Sequence, residues 1–231
     1  MVRQRSPVRF RPEALKIMGH KPKLPATWSA DLAYLCGLLI GDGTLPARTG
    51  KYASGRIQKR YEIAFISEKV DFIKEVYQPI FENIFGVKPY ITKVTIGRKK
   101  PIFQCRIESK IIYLYLTGKL KLSSGKKART AKVPTTPKEF EIYFLAGLLD
   151  TDGGKKGSGF GFTTASPYLA EFVINKFKEL NLKFNSCPWT FNEYTYHQIY
   201  VPKTKLRNFL SLIPIRNNEK IETIRVLLAR S

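Results

Sequence analysis

Acidic residues are scarce in this sequence. Against 40 Lys and Arg stand 18 Asp and Glu, a formal charge of +22 at pH 7, with a pI near 10.0. Self-repulsion on that scale opposes a compact fold and points to an anionic partner. Cysteine is equally thin: Cys36, Cys105 and Cys187 are scattered and odd in number, which excludes a disulfide framework and a Cys-x-x-Cys zinc pair. His20 and His197 are the two histidines, too few for a centre built on several imidazoles. The longest apolar run, near residues 32–41, is too short to span a bilayer, and the basic N-terminus lacks the apolar centre of a signal peptide. A reducing, intracellular compartment and no membrane partner are expected.

What is present suffices for a folded protein. The 231 residues, 43% of them hydrophobic, make one sizeable domain or two small ones with a real core. Aromatic and polar side chains interleave with basic ones along extended segments, which favours nucleic acid as the partner. The five Asp are informative because they are few: Asp42, Asp150 and Asp152 fall in two similar short segments, leaving Asp31 and Asp71 elsewhere.

Residues 1–28 are basic, Pro-punctuated and aperiodic, the pattern of a flexible tail. Its Pro7-Val8-Arg9-Phe10-Arg11-Pro12 is compatible with codons that spell a transfer-RNA T-arm. Read-through of the first 17 residues, with Met18 as the working start, is therefore an expectation that the gene's codons test. Ser29 caps a helix over 30–41 that is apolar almost all round. Tyr61, Ile63 and Phe65 then alternate with polar neighbours as a half-buried strand. Ser67 caps a helix over 68–85, with Val70, Ile73, Val76, Ile80 and Ile84 as its apolar positions. Strands over 90–96 and 102–108 flank a turn, and a helix over 110–117 ends at Gly118. After a basic connector over 118–135 the order restarts. Thr136-Pro137-Lys138-Glu139 reads as a capping box before a second apolar helix. A strand over 159–164, a helix from Ser166 to Leu180, a hairpin over 183–201 turning at Asn192-Glu193, and helices over 203–211 and 217–229 complete the chain. The repeat places Asp42 and Asp152 in equivalent positions, so two related subdomains are expected at 29–117 and 136–231, joined by the connector.

The two segments align as Leu35-Cys36-Gly37-Leu38-Leu39-Ile40-Gly41-Asp42-Gly43 and Leu145-Ala146-Gly147-Leu148-Leu149-Asp150-Thr151-Asp152-Gly153. Ala33, Gly37 and Gly41 in one, Gly147 and Thr151 in the other, put small residues four apart, spacing that lets two helices meet backbone to backbone. Side by side, such helices bring Asp42 and Asp152 together. Two carboxylates at a basic surface repel unless a cation sits between them. Asp150, without a counterpart in the first segment, reads as an ordinary helix-end charge.

These residues resemble the LAGLIDADG homing endonucleases in their single-chain, two-motif form. The second segment matches the name at seven of nine letters and the first departs more, with Ile40 for the first acid and Gly41 for Ala. The resemblance covers roughly 29–229 and implies an α+β fold of two pseudo-symmetric αββαββα subdomains whose antiparallel sheets form a saddle. It further implies Asp42 and Asp152 as metal ligands, joined by Gly41 and Thr151 beside them, with Mg²⁺ or Mn²⁺ as cofactor. Lys127 and Lys220 occupy the places of its basic residues near the scissile phosphate. The implied reaction is a staggered double-strand break in a long asymmetric DNA target by a monomer.

On the strand faces, Arg56, Gln58, Arg60, Lys93, Thr95, Arg98, Gln104 and Arg106 in the first half are candidates for DNA contact. So are Lys155, Lys156, Thr190, Asn192, Tyr194, Tyr196 and Gln198 in the second, because a two-stranded ribbon fits the major groove. Glu68 reads equally as a first-turn helix acid or a site group. Two alternatives remain on this fold, a maturase that binds intron RNA and a DNA-binding regulator that does not cut. An intein is not expected, since Ala229-Arg230-Ser231 lacks a His-Asn pair.

Overall fold

The computed structural model of the chain describes residues 21–51, 55, 57–95, 101–125 and 127–229. The expected tail lies outside these residues as far as residue 20, as do Arg56 and Arg98. From Lys23 the chain is already held by the fold: the Lys23 amide donates to Phe85 O at 2.8 Å and the Tyr115 hydroxyl to Pro25 O at 3.1 Å.

Helix α1 (Ala30–Gly41) starts where the Ser29 hydroxyl accepts from the Leu32 amide at 3.2 Å. Strands β1 (Gly43–Thr44), β2 (Ala47–Lys51) and β3 (Ile57–Ser67) follow. A helical rod then runs through α2 (Val70–Phe72), a π turn (Ile73–Tyr77) and α3 (Gln78–Phe85), ending at Gly86 with φ 67°. After β4 (Tyr90–Val94) and β5 (Ile102–Glu108) comes α4 (Lys110–Leu114), extended by a second π turn (Tyr115–Lys119). The second half consists of α5 (Glu141–Asp152), β6 (Gly154–Lys156), β7 (Gly159–Thr164), α6 (Pro167–Glu179), β8 (Asn185–Phe191), β9 (Tyr194–Val201), α7 (Leu206–Leu212) and α8 (Asn218–Ala229). The duplication is visible in the sheets. Both are antiparallel, ordered β1-β3-β5-β4 and β6-β7-β9-β8, with β2 added beside β3 in the first.

Four local expectations are corrected. The short strands β1, β2 and β6 were not expected, being too short or too polar to show alternation. The rod begins at Val70 rather than residue 68, and its π turn rotates the buried face onto Phe72, Ile73, Tyr77, Ile80, Phe81 and Phe85, leaving Val70, Val76 and Ile84 half-buried. Gly118 lies inside the second π turn and does not end its helix. No capping box forms at Thr136: Pro137 is extended (φ −61°, ψ 147°), a 3₁₀ turn over Lys138–Phe140 precedes α5, and Thr136 Oγ1 is buried without a partner.

Helix α1 buries every residue from Leu32 to Ile40, and α5 every residue from Phe144 to Asp150. The two pack on each other. A Cβ at Gly37 would lie 2.2 Å from Phe144 O, and one at Gly147 would lie 2.2 Å from Tyr34 O. Gly41 faces Thr151, so a Cβ there would lie 1.9 Å from the Thr151 hydroxyl. The spacing of small residues thus has the role expected of it. On the first-half side the core is aromatic: Phe65 stacks on Tyr77 at 4.5 Å, and Tyr77, Phe81, Phe85 and Tyr115 continue the chain of rings. Across α5 and α6, Lys176 is nearly enclosed between Glu141 and Glu179, at 2.5 and 2.6 Å.

Because backbone rather than a flexible side chain opposes Gly37, Gly37→Ala is expected to cost about 1–3 kcal/mol by forcing the helices apart. Thermal unfolding checks this, with Gly118→Ala, where a Cβ meets nothing within 4 Å, as the control. At this chain length each kcal/mol moves Tm by roughly 2–4 °C.

Candidate active site and nucleic-acid interface

The α1/α5 contact carries both helix C-termini to one place. Asp42 is the cap residue of α1 (φ −89°, ψ 2°), and Asp152 is the last residue of α5. Neither Gly43 nor Gly153 has a positive φ. What forbids a side chain there is proximity to the helix itself, since a Cβ would lie 2.5 Å from Leu39 Cα and 2.2 Å from Leu149 O respectively. Both carboxylates reach solvent. Crowding by protein nonetheless strips part of their hydration and raises both pKa values, Asp152's to about 6, with the Asp42 charge adding to the rise.

Lys127 and Lys220 are tied to these same helix ends. Lys127 Nζ donates to Leu39 O and Lys220 Nζ to Gly153 O. Both ammonium groups therefore cap carbonyls at the negative end of a helix dipole. Their coupling is crosswise. Asp42 feels Lys220 more than Lys127, and Lys127 feels Asp152 more than Asp42. Burial lowers the Lys127 pKa to about 8 against both carboxylates. Lys156 of β6 is also depressed, by burial and by Lys220.

The donors suit a hard cation. Among the described residues no three His, Cys, Asp or Glu side chains gather into a metal cluster, so the protein offers a pair of carboxylates plus carbonyl oxygens. That oxygen-only set fits Mg²⁺ or Mn²⁺ that keeps water and substrate phosphate as its other ligands. Gly41 can supply only its carbonyl, and the Thr151 hydroxyl is turned back along its helix, donating to Leu148 O at 2.8 Å.

Asp150 is not the solvated helix-end charge expected of it. It is 1% exposed. Its Oδ2 accepts from the Tyr34 hydroxyl at 2.5 Å and from the Arg216 amide at 2.8 Å, and its carbonyl accepts from Asn217 Nδ2 at 3.0 Å. Arg216 continues the network, its guanidinium 4.4 Å from the Tyr34 ring centre and 2.8 Å from Asp31. The start of α8, and with it Lys220, is hung on both motif helices this way. No signal in one sequence pairs Arg216 with Asp31, 185 positions away. Glu68 is exposed and stands one residue before Lys69, which pairs with Glu219 at 3.4 Å.

Strand register decides which candidates share the open faces, those turned from the helices. In the first sheet Glu62, Ala64 and Ile66 pair with Glu108, Arg106 and Gln104, while Tyr90 and Thr92 pair with Arg106 and Gln104. Gln58, Arg60, Gln104 and Arg106 therefore share the open face as expected, and Arg48, opposite Arg60, joins them. Lys93 does not. It pairs with Phe103 on the helix-side face, and Thr95 lies past the strand end. The error is one of parity, since a single-residue shift exchanges the two faces. In the second sheet Tyr194, Tyr196, Gln198 and Lys156 share the open face. Thr190, paired with Thr195, and Lys155, paired with Phe160, belong to the other face, and Asn192 sits in the turn with φ 46°. Trp189 and Phe191, which sequence reasoning passed over, take the open-face places, and Arg129 of the connector lies 3.0 Å from the Tyr194 ring centre.

Two antiparallel sheets, paired apolar helices between them and acids at the helix tips define a known architecture. I-DmoI in complex with DNA and calcium superposes with TM-score 0.60 at 21% identity, covering 84% of this chain and 96% of that one. I-DmoI in complex with DNA and manganese gives 0.54 at 20% identity, covering 87% and 98%. I-SmaMI bound to an uncleaved DNA target with calcium gives 0.52 at 13%, covering 87% and 98%. The fold is that of the single-chain LAGLIDADG homing endonucleases. Neither a family model nor a curated protein sequence matches the chain. In the LAGLIDADG frame, α1 and α5 are the motif helices and the open sheet faces are the saddle.

Asp152 illustrates a site held against stability. Its folded pKa lies above the unfolded value, so its contribution is fully present below about pH 4 and is lost as pH rises through about 6. In metal-free buffer, Asp152→Asn is expected to be more stable than the parent at pH 7, by no more than about 1 kcal/mol for an exposed group. The difference should vanish below about pH 4 in denaturant titrations.

Proposed function

We propose that this protein is a homing endonuclease that makes a site-specific double-strand break in DNA. The observation that carries this reading is the meeting of Asp42 and Asp152 at the tips of two packed helices, flanked by Lys127 and Lys220 and by two open strand faces. The charge of +22 supplies the phosphate affinity.

Asp42 and Asp152, with the Gly41 and Thr151 carbonyls beside them, would hold Mg²⁺ or Mn²⁺. The chemistry such a cation would supply there is activation of water and stabilisation of the leaving 3′ oxygen. The chain's own part is positional. The Gly37–Gly147 contact fixes the carboxylates between the sheets, and the helix-end carbonyls orient the two lysines. Both ammonium groups then offset charge that develops on the scissile phosphates. We read the working form as a monomer of an intracellular, reducing compartment. Two of its three cysteines are buried and unpaired, and no helix among the described residues is long and apolar enough to cross a membrane. An intron-encoded origin and a staggered cut with 3′ overhangs complete the reading.

The experiment is cleavage of the uninterrupted DNA around the gene's own insertion point. With Mg²⁺ a discrete double-strand cut is expected, abolished by EDTA. Asp42→Asn and Asp152→Asn should each lose at least about 100-fold in cutting, more than the loss typical of an outer-shell partner. Lys127→Met and Lys220→Met should slow cutting by roughly 100-fold to 1,000-fold with DNA binding little changed, as for other electrostatic stabilisers. Intact DNA with tight binding to the surrounding intron RNA would overturn the endonuclease and favour a maturase. Tight, sequence-specific binding without cutting would leave a regulator.

A further inference from the structure

The two open sheet faces differ in chemistry. On the first, the pairing sets Arg48, Arg60, Glu62, Arg106 and Glu108 together, with Arg60 3.9 Å from Glu108 and Arg106 3.6 Å from Glu62. Gln58 and Gln104 lie among them. On the second, Lys156 at the active-site end is the one charged strand residue among those described, and the connector's Arg129 guanidinium lies 3.0 Å from the Tyr194 ring centre. The face beyond it is aromatic. Trp189 stacks on Tyr196 at 5.5 Å with an 18° interplanar angle, and Phe191 pairs with Tyr194 beside the turn.

These rings are open to solvent, Trp189 at 43% and Phe191 at 61%, on a strand whose every residue is exposed. Exposed aromatic surface of this extent marks a contact site. Strand addition is not the contact, because Pro188 removes an amide donor from the β8 edge. The side chains act instead. In the major groove the apolar feature a duplex offers is the C5-methyl group of thymine, and apolar side chains read it.

Resting on the endonuclease reading, we propose that the second sheet recognises a thymine-rich half-site through methyl contacts from Trp189, Phe191 and Tyr196, while the first sheet reads its half-site through charged hydrogen bonds to base edges. The target is thus chemically asymmetric, with G·C recognition concentrated in the half under Arg60 and Arg106 and the Arg129 guanidinium engaged against the Tyr194 ring in the other. Gln198 and the tyrosine hydroxyls remain to bond adenine and thymine edges on the second face.

The test begins with selection of bound duplexes from a randomised library in Ca²⁺. The half-site whose base preference changes in Arg106→Gln lies under the first sheet. Deoxyuridine then replaces thymidine in one half at a time, which removes methyl groups and keeps every hydrogen-bonding atom. Each contacted methyl should weaken binding about fourfold, roughly tenfold or more over the second half-site, and substitution in the first half should change little. Trp189→Ala/Phe191→Ala, whose side chains are exposed, should unfold at the parent's temperature and lose the discrimination against uracil. Equal sensitivity in the two halves, indifference to uracil in both, or undiminished discrimination in that variant would overturn the proposal while leaving the endonuclease intact. A library that yields no preferred duplex would sink both readings together.

Discussion

Gly37 and Gly147 touch across the crossing of α1 and α5, and the rest of the molecule is arranged by that contact. Glycine in a helix interior costs about 1 kcal/mol relative to alanine, a cost taken twice here. The return is an approach no side chain permits, with backbone packed on backbone from Phe144 to Leu148. Helices that close can present only their ends and outer flanks. Each flank carries an antiparallel sheet, and each end carries an aspartate.

The consequence is electrostatic. Desolvation at the helix tips raises the pKa values of Asp42 and Asp152, and the Asp42 charge raises that of Asp152 further, which opposes folding at neutral pH. Lys127 and Lys220 offset part of that repulsion, each from the far side of the pseudo-dyad and each anchored on a helix-end carbonyl. The Asp150–Tyr34–Arg216–Asp31 network then fixes the segment that delivers Lys220. A strained polar centre is tolerable because the apolar helices on which it rides are buried almost completely.

Duplication preserves the frame and releases the surfaces. Both sheets keep the same strand order, and core-side positions such as Ile63, Phe65, Phe160 and Phe162 keep the same character. The open faces have diverged, one into a lattice of Arg and Glu and the other into stacked rings. Core positions are constrained by packing with neighbours of the same chain, whereas a groove face answers only to what lies against it.

Local chemistry made much of this legible from the residues alone. Ser29 and Ser166 cap their helices because a hydroxyl three residues before an amide is a local device. The small-residue spacing at Gly37, Gly41, Gly147 and Thr151 announced a close helix pair, and two Asp-Gly ends announced where its acids meet. The hairpin turn at Asn192-Glu193 was equally local, both residues having positive φ. Parity was not legible. Whether Lys93 or Thr92 faces the groove depends on a one-residue register set across β4 and β5, and periodicity within one strand leaves that open. The π turn at Ile73 rotated a face that the apolar spacing had assigned, and the one at Tyr115 carried its helix past Gly118. Asp150 looked like a surface charge because its partners, Tyr34 and Arg216, come from distant parts of the chain. Sequence by itself determined the elements, the duplication and the pair of acids, since these follow from short-range sterics and the spacing of small and apolar residues. Only the tertiary structure decided the register, the crosswise lysines and the buried Asp150 network, because each depends on which distant residues the helix contact brings within a few ångströms.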